Sequence, residues 1–336
     1  MRKLRIAQIG TSEMSHGNQI WGSVTKQTDI FEVVGFALPE NEREKFPKQM
    51  KAFEGYREMT VDEILSDPTI DGVFVETEEI YLTKYALMVA KAGKHLHMEK
   101  PGGQNLKDFE EMIETIRQSG KVFSTGYMYR YNPKVREILK QIEDGELGEI
   151  VSIDAQMSCT HDTWVRNWLS CMKGGMIFFL GCHLVDLIYR IQGAPQNIIP
   201  LSRSTGIEGA VGEDFGMAVL EYKNGVSTVK TTDVQHGGFP ERQLLVIGSK
   251  KTVVVRPLEM YTDPKNSPLQ HTDAVEYSAK SWLDKGVQSR SVDYDRYDTM
   301  TSTFAKRING EYEEKVYTLD YELELYKLVL KCSGIN

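Results

Sequence analysis

The sequence predicts an α/β domain with a parallel sheet, followed by an α+β domain with an open, mainly antiparallel sheet. Three observations carry this. Short β-branched runs alternate with longer helical patterns through the first third of the chain, as repeated βαβ units require. After about residue 126 the strands lengthen and alternate apolar with polar residues, the habit of a sheet with one face covered. The chain has 336 residues, and at about 150 per domain this allows two. The boundary is expected near residue 125, giving domains at 1–125 and 126–336.

The first strand is 4–9, ended by Gly10, with a helix expected over about 17–27. The second strand is 31–37, closed by Pro39. Thr60 with Glu63 three positions on reads as a capping box opening a short helix. A strand at 72–76, a helix over about 81–92 stopped by Gly93, and a strand at 95–98 follow, the last running into Glu99-Lys100-Pro101. A helix over about 106–119 and a strand at 121–124 complete this half. Beyond it come a helix at 133–144 and strands at 150–155, 218–222, 228–232, 243–247 and 252–255. Lys223-Asn224-Gly225 is expected to turn a hairpin, because Asn-Gly tolerates positive φ. A C-terminal helix over about 321–332 carries a leucine-rich face that belongs to the core.

Composition narrows the function. The hydrophobic fraction of 40% and charged fraction of 26% are those of a soluble globular protein. The net charge is −8 and no basic stripe interrupts it, so neither nucleic acid nor an anionic membrane is an expected partner. No apolar run has membrane-spanning length. The first residues enter a strand at once, without a signal-peptide pattern, and the four cysteines form no CxxC. A cytoplasmic protein with reduced thiols is expected.

A strand ending in glycine and feeding a helix is where a dinucleotide-binding fold holds its pyrophosphate. The turn here is Gly10-Thr11-Ser12-Glu13-Met14-Ser15, which keeps only the first glycine of G-x-G-x-x-G. The acidic residue expected to hold the adenosine ribose is missing, since Leu38 and Pro39 follow Ala37, with Glu40 nearby. Cys159, His161 and Asp162 crowd one stretch, but their spacing matches no common zinc pattern. They are expected on a pocket rim, and no metal site is assigned.

Three segments in order, Glu99-Lys100-Pro101, residues 126–133 (Gly-Tyr-Met-Tyr-Arg-Tyr-Asn-Pro) and residues 174–186 containing Gly-Cys-His-Leu-Val-Asp, closely resemble the Gfo/Idh/MocA family of oxidoreductases. Residues 145–150, Gly-Glu-Leu-Gly-Glu-Ile, match that family's passage into its sheet domain. The resemblance implies a Rossmann domain binding NAD or NADP and a sheet domain holding a sugar, polyol or related hydroxyl or carbonyl compound. It implies Lys100 as the group that hydrogen-bonds the reacting oxygen and His183 as general base, with Glu99 near the nicotinamide ribose. It places Thr77 and Glu78 in the cofactor loop, and Tyr127, Trp164, Arg166, Trp168 and Phe179 around the substrate. It also implies a homodimer, or a dimer of dimers, built on the sheet. Phe179 stands where the family often has an aspartate, and Thr77-Glu78-Glu79 replaces Thr-Pro-Asn. With Glu76, that puts three carboxylates near a phosphate-bearing cofactor, so a lysine partner (Lys100 or Lys84) is expected. Asp186 either orients His183 or serves structure. Two other readings stay open: a nucleotide- or sugar-binding regulatory protein of this fold, and an interaction protein whose sheet only dimerises.

Overall fold

The computed structural model describes residues 2–335. In chain order the first elements are β1 (Leu4–Ile9), α1 (Gly17–Lys26), β2 (Phe31–Ala37), α2 (Glu42–Lys45), α3 (Val61–Ser66), β3 (Gly72–Val75), α4 (Leu82–Lys91), β4 (His95–Met98), α5 (Leu106–Ser119) and β5 (Phe123–Thr125). Next come α6 (Pro133–Glu143), β6 (Ile150–Gln156), α7 (Thr163–Trp168), α8 (Cys182–Gln192), β7 (Asn197–Arg203), β8 (Phe215–Tyr222), β9 (Gly225–Thr232), β10 (Gln243–Gly248) and β11 (Thr252–Val255). The chain closes with β12 (Met260–Tyr261), β13 (Gln270–His271), β14 (Asp273–Tyr277), β15 (Val287–Arg290), α9 (Asp298–Ile308) and α10 (Leu319–Cys332).

Two compact units form. The first comprises residues 2–127 with Tyr297–Tyr326, the second Met128–Arg296 with residues 327–335. The first holds a five-stranded parallel sheet in the order β2-β1-β3-β4-β5. Outside β2, Glu58 makes a single parallel bridge to Phe36. The order reverses between β1 and β3, and ligands in such sheets bind at the carboxyl ends beside that switch. β3 is buried along its length, as expected of a strand covered on both faces. Thr60 and Glu63 form both halves of the capping box.

The division differs from the contiguous 126–336 domain expected from sequence, because a stretch near the C-terminus returns to the first unit. Phe304 on α9 packs edge-on against Phe74, with ring centroids 5.4 Å apart. Ser23 donates to Asp298 at 2.7 Å, and Tyr326 stacks on Phe109 at 3.8 Å. The amphipathic pattern of these helices shows that they bury a face, not which sheet they bury it on.

The second unit carries an eight-stranded sheet in the order β15-β14-β11-β10-β6-β9-β8-β7. Every neighbouring pair is antiparallel except β6–β9. Strand β7 holds Pro200, which is tolerated because β7 lies at the sheet edge. The β8–β9 hairpin forms, yet none of Lys223, Asn224 and Gly225 has positive φ, which corrects the expected reason for the glycine. Gly225 is required instead because a Cβ there would sit 1.7 Å from the Val151 carbonyl oxygen.

Candidate active site

In the first unit the carboxyl ends of β1, β3 and β4 gather Gly10, Glu76–Glu79 and Glu99–Lys100 at the switch point. Gly10 has φ +89°, and a Cβ would meet Thr77 Cγ2 at 2.3 Å, so no side chain fits between the first turn and the Thr77 loop. The serines that replace the fingerprint glycines bond within the turn. Met14 N–H donates to Ser12 Oγ at 3.0 Å, and Gly17 N–H to Ser15 Oγ at 3.2 Å. Ser15 Oγ also donates to the Glu76 carbonyl at 3.1 Å, tying the turn to β3. Glu13 is half-buried in the same turn.

Thr11 N–H, an amide that would face a phosphate, donates to Glu42 Oε2 at 3.3 Å. Sequence reasoning missed Glu42. Its approach depends on Glu40 and Asn41 both adopting the left-handed backbone region, φ +59° and +58°, which no motif announces. Glu42 is fully buried, and burial pushes its pKa up to about 9, opposed by the Thr11 amide. It therefore sits beside the turn as a neutral acid at pH 7.

The expected lysine partners sort differently from the sequence reading. Lys84 pairs with Glu40 at 2.5 Å, Lys45 pairs with Glu78 at 3.1 Å, and Lys100 lies 3.6 Å from Glu99. Leu38 packs against the Trp21–Phe36–Phe53 cluster. Glu76 and Glu79 are wholly buried, and among the described residues no side chain hydrogen-bonds their carboxyl oxygens. Burial pushes Glu76 well above the usual carboxylate range, helped by Glu99, and raises Glu79 to about 7 against the pull of Lys100. Glu99 goes the other way: burial is outweighed by His16, whose Nδ1 lies 3.3 Å away, and by Lys100. Burial lowers His97 to about 4, so it is neutral. The acidic row therefore carries little net charge at neutral pH, with Glu99 and Lys100 as its buried ion pair. His16 is a second residue the sequence did not disclose.

In the second unit His183 lies on α8, immediately after a π-helical turn over Ile177–Gly181. Such turns insert a residue and re-aim the side chains that follow. His183 is 1% exposed and packs edge-on against Tyr129 at 5.1 Å. Tyr129 donates its hydroxyl proton to Glu259, which also accepts from Arg242 at 2.5 Å and from Arg296. Those two arginines overcome burial and hold Glu259 down at about 2. Asp186 holds Arg130 through Nε at 3.0 Å and Nη2 at 2.8 Å, which points to a structural part for it. Phe179, on the π turn, packs edge-on against Trp168 at 5.4 Å, and Trp164 is 52% exposed. Arg166 is committed internally: its Nη groups reach Glu208, Asp214 at 3.5 Å and the Ile207 carbonyl at 3.1 Å. Tyr127 is buried at the end of the first unit.

A parallel sheet with a glycine turn and a buried lysine at its carboxyl edge is joined in one chain to a large open sheet. Residues 4–127 match the profile described as an oxidoreductase family with NAD-binding Rossmann fold, and residues 135–254 match the GFO/IDH/MocA C-terminal domain. The chain belongs to the GFO/IDH/MocA family. It is 26% identical over 171 residues to 1,5-anhydro-D-fructose reductase of Ensifer adhaerens, covering 50% of this chain and 51% of that protein. It is 24% identical over 217 residues to myo-inositol 2-dehydrogenase of Thermotoga maritima, covering 62% of this chain and 64% of that protein. The matched stretch thus spans between half and two thirds of these relatives. The solved aldose–aldose oxidoreductase of Caulobacter crescentus shares the fold, with a TM-score of 0.76 at 19% identity over 99% of this chain and 98% of that one.

Proposed function

We propose that this chain is an NAD(P)-dependent oxidoreductase that moves a hydride to or from a sugar, polyol or related hydroxyl or carbonyl compound. The observation that carries the reading is Lys100. It is 1% exposed at the carboxyl end of β4, with Glu99 3.6 Å away. Burying a lysine amine is costly, and a buried lysine beside a carboxylate at a ligand-binding edge is a functional-site signature.

The first unit fits a dinucleotide. Gly10 leaves the space a Cβ would fill, the Gly10–Met14 turn feeds α1, and the carboxylates nearest the turn are protonated or paired. Gly10, Thr11, Ser12, Glu13 and Met14 would hold the pyrophosphate. Leu38 would lie toward the adenosine, with Thr77, Glu78 and Glu99 toward the nicotinamide side. Bound NAD(P) supplies the hydride acceptor or donor. Lys100 hydrogen-bonds the substrate oxygen and stabilises the alkoxide. His183 takes or returns the hydroxyl proton, a role suited to imidazole. Trp164, Trp168 and Phe179 supply apolar faces for a carbohydrate ring, while the internal pairs of Arg166 argue for a structural part rather than substrate contact. The outer sheet face, with Val151, Ile199 and Val226 each 40–44% exposed, supports a homodimer.

Titration with NADH or NADPH should change nicotinamide fluorescence and raise the melting temperature. A panel of sugars, polyols and sugar acids should then give turnover. No fluorescence or melting response at millimolar dinucleotide overturns the reading. Tight binding without turnover replaces it with a regulatory protein of the same fold. Light scattering should give twice the 38.2 kDa chain mass.

A further inference from the structure

Cys159, His161 and Asp233 in the second unit form a three-donor cluster that the proposed reaction does not use. Two chain segments build it. Cys159 N–H donates to the Thr232 carbonyl at 3.0 Å and His161 N–H to the Asp233 carbonyl at 3.2 Å. Gln235 N–H returns a bond to the Cys159 carbonyl at 2.9 Å, around the Thr160–Val234 bridge. The donors are thus fixed by paired backbone, as a precise site requires.

We propose that Cys159, His161 and Asp233 bind one zinc-class divalent ion, with the fourth position open to water. Tetrahedral zinc with bonds of about 2.0–2.3 Å sets its donor atoms roughly 3.3–3.6 Å apart. Here Cys159 Sγ lies 3.6 Å from His161 Nδ1 and 3.1 Å from Asp233 Oδ1, and Nδ1 to Oδ1 is 2.6 Å. One spacing already fits, the sulfur–oxygen spacing needs to open by roughly 0.2–0.5 Å, and the nitrogen–oxygen spacing by roughly 0.7–1.0 Å. An independent sign is Asp233 Oδ2, which among the described residues has no hydrogen-bond partner although Asp233 is 0% exposed. Leaving a buried carboxylate oxygen unmet is costly, and a cation removes the cost. The His161 side chain is 37% exposed, which gives the ion a route in and a solvent-facing side. Mixed sulfur, nitrogen and oxygen donors suit a borderline ion better than calcium or magnesium. Without an ion, burial and Asp233 push the Cys159 thiol up, against the opposing pull of Arg242. Binding would release that proton to solvent, and the resulting thiolate and carboxylate balance a 2+ charge.

Sequence spacing offered Asp162 as the neighbouring carboxylate. The fold supplies Asp233, 74 residues from Cys159, instead.

The test uses the full chain stripped by chelator and titrated with Co²⁺. A thiolate-to-cobalt charge-transfer band should grow to saturation at one ion per chain, and Zn²⁺ should bleach it. Cys159→Ser should abolish the band, and His161→Gln, at a partly exposed position, should weaken binding at least about tenfold. Cys171→Ser, at an exposed cysteine, should leave the titration unchanged. Absence of the band, a different stoichiometry, or a band that survives Cys159→Ser overturns the site. None of these readouts depends on dinucleotide binding or turnover.

Discussion

The two units bury carboxylates in opposite ways. In the second, Glu259 is wholly buried and stays ionised, because Arg242, Arg296 and the Tyr129 hydroxyl converge on it. In the first, Glu76 and Glu79 are equally buried without comparable donors, and burial moves them up until they hold protons near neutral pH. A buried carboxyl must be paired or discharged, and the choice separates structure from chemistry. The paired Glu259 fixes Tyr129, the ring against which His183 packs. Of the discharged pair, Glu79 is raised to about 7, so its protonation state responds to pH near neutrality, while Glu76 is raised well above the usual carboxylate range.

The largest effect expected from this contrast is on turnover. Lys100→Met should lower it about a hundred- to ten-thousand-fold while dinucleotide affinity, followed by fluorescence, changes only a few-fold. Turnover surviving within tenfold would show that Lys100 does not stabilise the alkoxide.

The next effect is on stability. Glu259→Ala leaves two buried guanidiniums without their carboxylate and should cost about 3–5 kcal/mol in denaturant unfolding. Glu79→Gln replaces a group about half protonated at pH 7 and should stay within about 1 kcal/mol there. The reverse order would erase the distinction between the regions.

The pH dependence sharpens it further. Glu259 is depressed to about 2, so its contribution is present above the ordinary carboxylate range and is lost as pH falls through 2. That is worth on the order of 3 kcal/mol. Glu42 is raised to about 9, so its contribution is present below the ordinary carboxylate range and is lost as pH rises through 9. Glu42→Gln keeps an acceptor for Thr11 N–H and should flatten the alkaline limb of stability. It should also flatten the decline of NADH affinity between neutral and alkaline pH. An unchanged alkaline limb in that variant would show that Glu42 is ionised throughout.

The smallest effect belongs to the turn itself. Ser12→Gly releases Met14 N–H for a phosphate, so dinucleotide affinity should stay level or tighten a few-fold. A large loss would show that the hydroxyl makes a needed contact.

Local chemistry made much of this molecule legible from sequence. β3 is a continuous apolar run, β1, β2, β4 and β5 are short apolar-rich runs bounded by breakers, and the Thr60–Glu63 box pairs as its residue types allow. Gly10 ends β1 at a point where no Cβ fits. β7 was not legible, because Pro200 argues against a strand until the sheet edge is known. Nor was the return of Phe304 to the first unit.

By itself the sequence determined the strand and helix periods, the glycine turn, the lysine after β4 and the histidine in its apolar helix. Each of these is set by neighbours a few residues away. Tertiary structure alone decided the state of the buried acids: Glu42 on the Thr11 amide is held neutral by burial, while Glu99 between His16 and Lys100 and Glu259 between two arginines are held ionised. Those states depend on burial and on partners brought from distant parts of the chain, and an ionisation equilibrium responds to its surroundings in space rather than in sequence.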